Sequence, residues 1–368
     1  MTANIYIGLM SGTSLDGIDA VAVRFTPDCH IIASHSEPFP TDLKQQILRL
    51  TQPGDCEIDL MGRIDIQLGE LFSHSVMQLL QKNGLKAESI AAIGSHGQTI
   101  RHRPEHGFTL QIGDPNIIAE RTGITTIADF RRRDMAAAGQ GAPLVPAFHQ
   151  AMLHNPDMDR VLLNIGGMAN ITHLPQDPTK AISGFDTGPG NILLDAWINE
   201  IKGLPFDKDG AWASSGKINS ELLNDLLSLD YFQEAPPKST GREQFNLAWL
   251  QNTLASHQDV TNEDVQRTLL ELTATTIADA LNKYVNCDHY DLFVCGGGSR
   301  NHQLTQRIQD LLPNVVVQTS DKAGIDADWM EAAAFAWLAK CCLEGACGNA
   351  PSVTGAKGNR ILGAIYQA

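Results

Sequence analysis

No stretch of this sequence reaches the roughly 18 consecutive apolar residues that a membrane-spanning helix requires. The N-terminus, MTANIYIGLM, lacks the basic start, long apolar run and small-residue cleavage site of a secretory signal. Positive charge is scarce: 27 Lys and Arg face 42 Asp and Glu, a net charge of −15 at pH 7. That deficit argues against a general nucleic-acid or anionic-membrane binder, both of which need a positive surface, and leaves room only for a local basic pocket. Cysteines number seven, an odd count, and no CxxC pair occurs among them. A structural zinc is therefore not expected, and reduced thiols in the cytoplasm are. His96, His102 and His106 do not follow a zinc-ligand spacing either. Aromatics make up only 6% of the chain, whereas glycine is plentiful at 32 residues, which points to many tight backbone turns.

What is present is a chain of 368 residues, 43% hydrophobic, long enough for two or three domains with a sizeable core. Its N-terminal segment, NIYIGLM-SGTSLDG-IDAVAVRF, reads as strand, polar glycine-bearing loop, strand. Arg160 to Leu174, RVLLNIGGMANITHL, repeats that plan with Gly166 and Gly167 at the turn. Each hairpin is followed by a helix and then by a strand that runs into another glycine-rich or polar loop. In the first half the apolar spacing predicts a helix over 64–82, and the strand is SIAAIGSHGQTI. In the second half a helix starts after Thr261, with Asp264 placed for a capping box, and DLFVCGGGSRN supplies the strand and turn. A late helix is expected over 328–343, and a short strand near 361–366 returns to the first half. Two copies of one plan imply two related lobes with a ligand cleft between them.

Four glycine-bearing turns end apolar strands: SGTSLDG, NIGGMAN, FDTGPGN and CGGGSRN. Exposed backbone N–H groups in such turns bind phosphate oxygens, and glycine lets the ligand approach. One such turn alone usually just closes a hairpin; four in two-fold arrangement point to a nucleotide. The pattern is neither a Walker A loop, since no GK[ST] opens a helix, nor a dinucleotide fingerprint, since GxGxxG is absent.

Two phosphate hairpins and a late GGG turn resemble the actin-like ATPase superfamily of sugar kinases, chaperones and actin. Within it, GLMSGTSLDGIDAV, SHGQTI, LLNIGGMANIT, GFDTGPGN and CGGGSRN resemble the anhydro-N-acetylmuramic acid kinase family, in order and over nearly the whole chain. The resemblance implies an α/β fold of two related actin-like (ribonuclease H-like) lobes with an inter-lobe nucleotide cleft. The lobes are expected at residues 1–130 plus about 355–368, and at 131–354, since the basic run RRRD and a Gly/Ala-rich stretch interrupt the pattern near 128–140. It implies ATP and Mg2+, and a reaction that opens 1,6-anhydro-N-acetylmuramic acid with water and phosphorylates it to N-acetylmuramic acid 6-phosphate, in cell-wall recycling. A homodimer is expected from the resemblance alone. Where many superfamily members carry acids in the two hairpins, this chain has Met10 and Asn164, so Asp16, Asp19 or water is left to serve the metal.

The loop of Gly12, Thr13, Ser14 and Leu15, continuing through Asp16, Gly17, Ile18 and Asp19, is expected against the β- and γ-phosphates. Gly166 and Gly167 take the corresponding part in the other lobe, and Gly296, Gly297 and Gly298 admit the adenine. The anhydro-sugar's O6 is tied to C1, so a base must activate water at C1 while O6 leaves toward the γ-phosphoryl group. Asp186 is the candidate base; read from the residues alone it serves equally well as a cap for a helix starting near Asn191. Glu331 reads as an ordinary first-turn acid favoured by the helix dipole or, by the resemblance, as a sugar contact. The cluster Arg131, Arg132 and Arg133 is either a solvated linker or a source of the fork that binds the sugar's lactyl carboxylate, with Arg131 carried forward. His96, Gln98 and Thr99 are expected to line the sugar pocket. The alternatives are another small-sugar kinase of the same superfamily and an ATP switch of the actin or chaperone kind.

Overall fold

A computed structural model describes residues 4–12, 15, 17–285, 287 and 289–368. The chain divides into two units, residues 1–152 with 329–368, and residues 153–328. The first opens with strands β1 (Ile5–Ser11), β2 (Gly17–Phe25) and β3 (Cys29–Pro38), then helices α1 (Thr41–Leu50) and α2 (Glu57–Asn83). It continues through β4 (Ile90–Arg103), β5 (Phe108–Ile112), α3 (Pro115–Thr122), β6 (Thr126–Ala128), α4 (Phe130–Ala136) and α5 (Val145–Leu153). The second unit runs β7 (Asp159–Ile165), β8 (Met168–Leu174), β9 (Ser183–Pro189), α6 (Ile192–Lys202), α7 (Ser220–Leu227) and α8 (Leu247–Leu254). It closes with α9 (Asn262–Tyr284), β10 (Tyr290–Cys295), α10 (His302–Leu311) and β11 (Val317–Thr319). The chain then returns to the first unit as α11 (Met330–Glu344), α12 (Pro351–Thr354) and β12 (Ala364–Tyr366).

The internal echo of the sequence is a repeated topology. In the first unit β1, β2 and β3 form an antiparallel meander, β4 lies parallel to β1, and β6 lies parallel to β4. In the second unit β7, β8 and β9 do the same, β10 is parallel to β7, and β11 to β10. Each unit thus carries the 3-2-1-4-5 strand order of the actin-like, ribonuclease H-like fold. In the first unit β5 adds to β4, and β12 pairs antiparallel with β6, so the C-terminal strand does return to the first half.

Packing explains the elements. Ile64, Leu68, Phe72, Val76 and Leu79 of α2, at helical spacing, are fully buried in the first core beside Ile7, Leu9 and Ile18. The helix starts at Glu57, earlier than the expected Ile64: its first turn is tied by Arg101, whose guanidinium donates to Glu57 at 3.0 Å, and its outer face there breaks the apolar spacing. On the opposite face α11 sits directly on the sheet. A Cβ at Gly8 would fall 1.8 Å from the Ala332 carbonyl oxygen, and one at Gly94 would fall 2.0 Å from that of Phe335.

The lobe boundary expected at 130/131 falls instead after Met152, and the return expected near 355 falls at Trp329. The reason is packing: α11 covers β1 and β4, and α4 is bound to β4 through Arg131 and His96. The expected helix at 328–343 begins at Met330, since the Asp328 carboxylate is engaged by Arg300. Only half of the expected capping box forms. The Thr261 hydroxyl accepts from the Asp264 N–H at 3.3 Å, whereas the Asp264 carboxylate turns to the Lys217 N–H at 2.6 Å. Among the described residues no helix is long and apolar enough to cross a membrane.

Candidate active site

In the first unit the site grows from the ends of β1 and β4. Ser11, the last residue of β1, donates its hydroxyl to Gln98 Oε1 at 2.5 Å, and Gln98 Nε2 donates to the Gly12 carbonyl at 3.4 Å. Gln98 therefore ties β4 to the first loop. Leu15, buried in that loop, stands at φ 57°. A left-handed Leu costs about 1–3 kcal/mol, the kind of strain that a surrounding structure sustains at ligand loops. The side chains of Leu15 and Ile18 belong to the core, so what they offer a phosphate is backbone. Thr13, Ser14 and Asp16 lie outside the described residues.

His96, two residues before Gln98, is buried and rests on the Phe335 ring of α11 at 4.7 Å between centroids. Its Nε2 accepts from Arg131 Nε at 3.1 Å and from Nη2 at 2.9 Å. Burial, and then the Arg131 charge, hold the imidazole well below its ordinary value, so it is neutral. Arg131 Nη1 donates to the Gly141 carbonyl at 2.8 Å. Of the five guanidinium N–H groups, these contacts use three. Burial lowers the Arg131 pKa to about 10, against the pull of Glu331 and Asp134, which leaves the group charged at neutral pH. Glu331, in the first turn of α11, has its pKa raised by burial and by the charge of Asp19, while Arg131 opposes the rise.

Of the three arginines, Arg131 alone turns inward; Arg132 is exposed and paired with Asp129 at 2.5 Å, and Arg133 is exposed. The run is a helix, α4, instead of a linker. Thr99 stands apart: its hydroxyl accepts from Gln111 Nε2 of β5 at 3.0 Å.

In the second unit the Gly166–Gly167 turn joins β7 to β8 and caps the next helix. The Gly166 carbonyl accepts from the Asn191 N–H at 2.8 Å, and the Gly167 carbonyl accepts from the Gly190 and Ile192 N–H groups at 2.8 and 3.1 Å. A side chain at Gly167 would meet open space. The GGG turn divides its labour. A Cβ on Gly296 or Gly298 would strike Asn164 Oδ1 or Ile165 Cγ2, each at 2.3 Å, whereas nothing lies near Gly297. Two of these glycines are set by packing against the end of β7, and the middle one faces outward.

Asp186 was expected at the end of its strand; it lies inside β9 instead, paired with Asn170 where the β8–β9 register slips. Such a bulge re-aims a side chain. Nor does it cap α6, whose N-cap residue is Asn191. The Thr240 N–H donates to Asp186 Oδ2 at 3.0 Å, the Lys238 carbonyl accepts from the Asp186 N–H at 3.1 Å, and the Tyr231 hydroxyl donates to the Asp186 carbonyl at 2.7 Å. Burial raises its pKa to about 6, against the Thr240 hydrogen bond and the Lys238 charge. The segment that holds Asp186 was not singled out from sequence; its polar run KSTGREQ was the only signal.

The family model for anhydro-N-acetylmuramic acid kinase matches residues 4–368. A protein of that name from Coxiella burnetii is 53% identical over 363 residues, covering 98% of this chain and 97% of its own. The chain belongs to the anhydro-N-acetylmuramic acid kinase family. Another relative of that name, from Shewanella amazonensis, is 52% identical over 371 residues and the full length of both chains. Among solved structures, component A of the (R)-2-hydroxyglutaryl-CoA dehydratase of Acidaminococcus fermentans matches at TM-score 0.49 and 13% identity, over 89% of this chain and 95% of its own.

Proposed function

We propose that this kinase transfers the γ-phosphoryl group of ATP to O6 of 1,6-anhydro-N-acetylmuramic acid while water opens the anhydro bridge, giving N-acetylmuramic acid 6-phosphate. Asp186 carries the reading. It is a half-buried carboxylate at a strand bulge, anchored through Oδ2 by a backbone N–H, with a pKa raised to about 6. A base poised just below neutral pH is ionised at work and still a competent proton acceptor.

The atoms balance as follows. Asp186 takes one proton from water, whose oxygen bonds to C1. The C1–O6 bond breaks, O6 bonds to the γ-phosphorus, and ADP departs with the electrons of the broken P–O bond. Backbone N–H groups of the Gly12–Asp19 loop and of Gly167 receive the phosphates; Gly166, whose own N–H donates to the Met168 carbonyl at 3.1 Å, shapes that turn, and Gly297 offers an open face to the adenine. Arg131 binds the lactyl carboxylate with the donors His96 and Gly141 leave over, Glu331 contacts a sugar hydroxyl, and Gln98 holds the first loop in place.

Magnesium takes hard oxygen ligands and keeps substrate phosphates in its shell, so one or two carboxylates suffice. Asp19 stands opposite Met10 in the β1–β2 pair, and its charge reaches Glu331; that donor chemistry fits the ion, and Asp19 would hold it. When bound, magnesium neutralises phosphate charge. The seven cysteines are free, which supports a reducing cytoplasm, and the homodimer belongs to this reading as well.

Turnover in water enriched in heavy oxygen tests the proposal. One labelled oxygen is expected at C1 of the phosphorylated product. Full turnover with no label there would leave an ordinary kinase acting on a free hydroxyl.

A further inference from the structure

One buried acid has no part in the chemistry above. Asp134 lies one helical turn after Arg131 in α4 and is fully buried. Its Oδ2 accepts from the Gly141 N–H at 2.9 Å, and its Oδ1 accepts from Asn349 Nδ2 at 2.8 Å and Thr354 Oγ1 at 2.9 Å. None of these donors is a cation. A buried carboxyl group is costly unless hydrogen-bonded, and these three donors tie α4 at once to the loop before α5 and to the 349–354 segment.

The loop it holds is strained. Ala138 stands at φ 65°, costly for a residue with a side chain, and Gly141 at φ 71°, which glycine adopts freely. Asp134 approaches Gly139 so closely that a Cβ there would fall 2.2 Å from Oδ2. Its backbone carbonyl also takes the Gly139 N–H at 3.0 Å. The product of this arrangement is the Gly141 carbonyl, fixed where it accepts from Arg131 Nη1 at 2.8 Å. The Asp134 charge also acts directly on Arg131, favouring the protonated guanidinium.

We propose that Asp134 is a positioning residue for substrate recognition: it locks the 138–141 loop so that Gly141 and His96 together aim the remaining Arg131 donors at the carboxylate of the sugar. The proposal rests on Arg131 binding that carboxylate, and its test separates the two ideas. KM and kcat are measured for the anhydro-sugar, and KM for ATP, in the parent, Arg131→Gln, Asp134→Asn, Thr354→Val and the Arg131→Gln/Thr354→Val pair. Thr354→Val keeps shape and charge and removes one donor, so it serves if Asp134→Asn does not fold.

Asp134→Asn is expected to raise the sugar KM about tenfold, the loss of roughly one hydrogen bond, with kcat and the ATP KM within about twofold of the parent. Thr354→Val should raise it about threefold in the parent and not at all in the Arg131→Gln background, because acting through Arg131 makes the two effects non-additive. Equal effects of Thr354→Val in both backgrounds, or a fall in kcat alone, overturn the positioning role. An unchanged sugar KM in Arg131→Gln overturns the carboxylate-binding role of Arg131, and the proposal with it.

Discussion

Arg131 directs two of its N–H groups at a single atom, Nε2 of His96, at 3.1 and 2.9 Å. That atom must therefore carry its lone pair, which places the ring's proton on Nδ1. A second proton would set two cations against each other in a buried place, and the direction of the His96 shift expresses this. The imidazole is an acceptor built into the guanidinium's cradle.

His96→Phe preserves the stacking against Phe335 and removes the acceptor. The sugar KM should rise about tenfold, on the scale of a hydrogen bond to a charged group, with ATP binding unaltered. Steady-state kinetics with each substrate varied in turn checks this; an unchanged sugar KM would detach His96 from recognition.

Asp186 should shape the pH profile. With a pKa of about 6 in place of the ordinary 3.8, kcat/KM is expected to rise through pH 6 and level off above 7. Asp186→Asn should retain ATP binding and lose at least a hundredfold in kcat, the scale of general-base catalysis. The same shift has a stability consequence. A folded-state pKa above the unfolded one means the native chain holds this proton more tightly, so the contribution of Asp186 to stability is full below about pH 4 and is lost as pH rises through about 6. Asp186→Asn should therefore melt above the parent at pH 8, and the gap should close at pH 4.

The GGG turn offers a contrast within three residues. Gly298→Ala drives a methyl into Ile165 and should cost about 1–3 kcal/mol of stability. Gly297→Ala meets nothing in the protein, so its melting temperature should stay put while the KM for ATP rises. Equal ATP affinity in Gly297→Ala would leave the turn a purely structural feature.

The repeated plan was legible because it is local: apolar strands, glycine turns and helix periodicity are written in consecutive residues. Even the C-terminal return to the first unit could be read from one short apolar segment. What could not be read depends on pairing across the chain. Asp186 looked like a strand end because its position is decided by a register slip against β8. The backbone N–H that anchors it belongs to Thr240, 54 residues later. Three adjacent arginines are equivalent as letters, and only the docking of α4 beside His96 turns Arg131 inward. The boundary near residue 130 followed the change in composition, whereas the real division follows which sheet the flanking helices cover.

Gly8 and Gly94 leave no clearance for even a methyl group beneath α11. The helix is seated backbone on backbone, so the carboxylate at its head cannot be shifted without rebuilding two strands. Any redesign of this unit toward a different sugar has to leave Glu331 where it is and alter the side chains that face it.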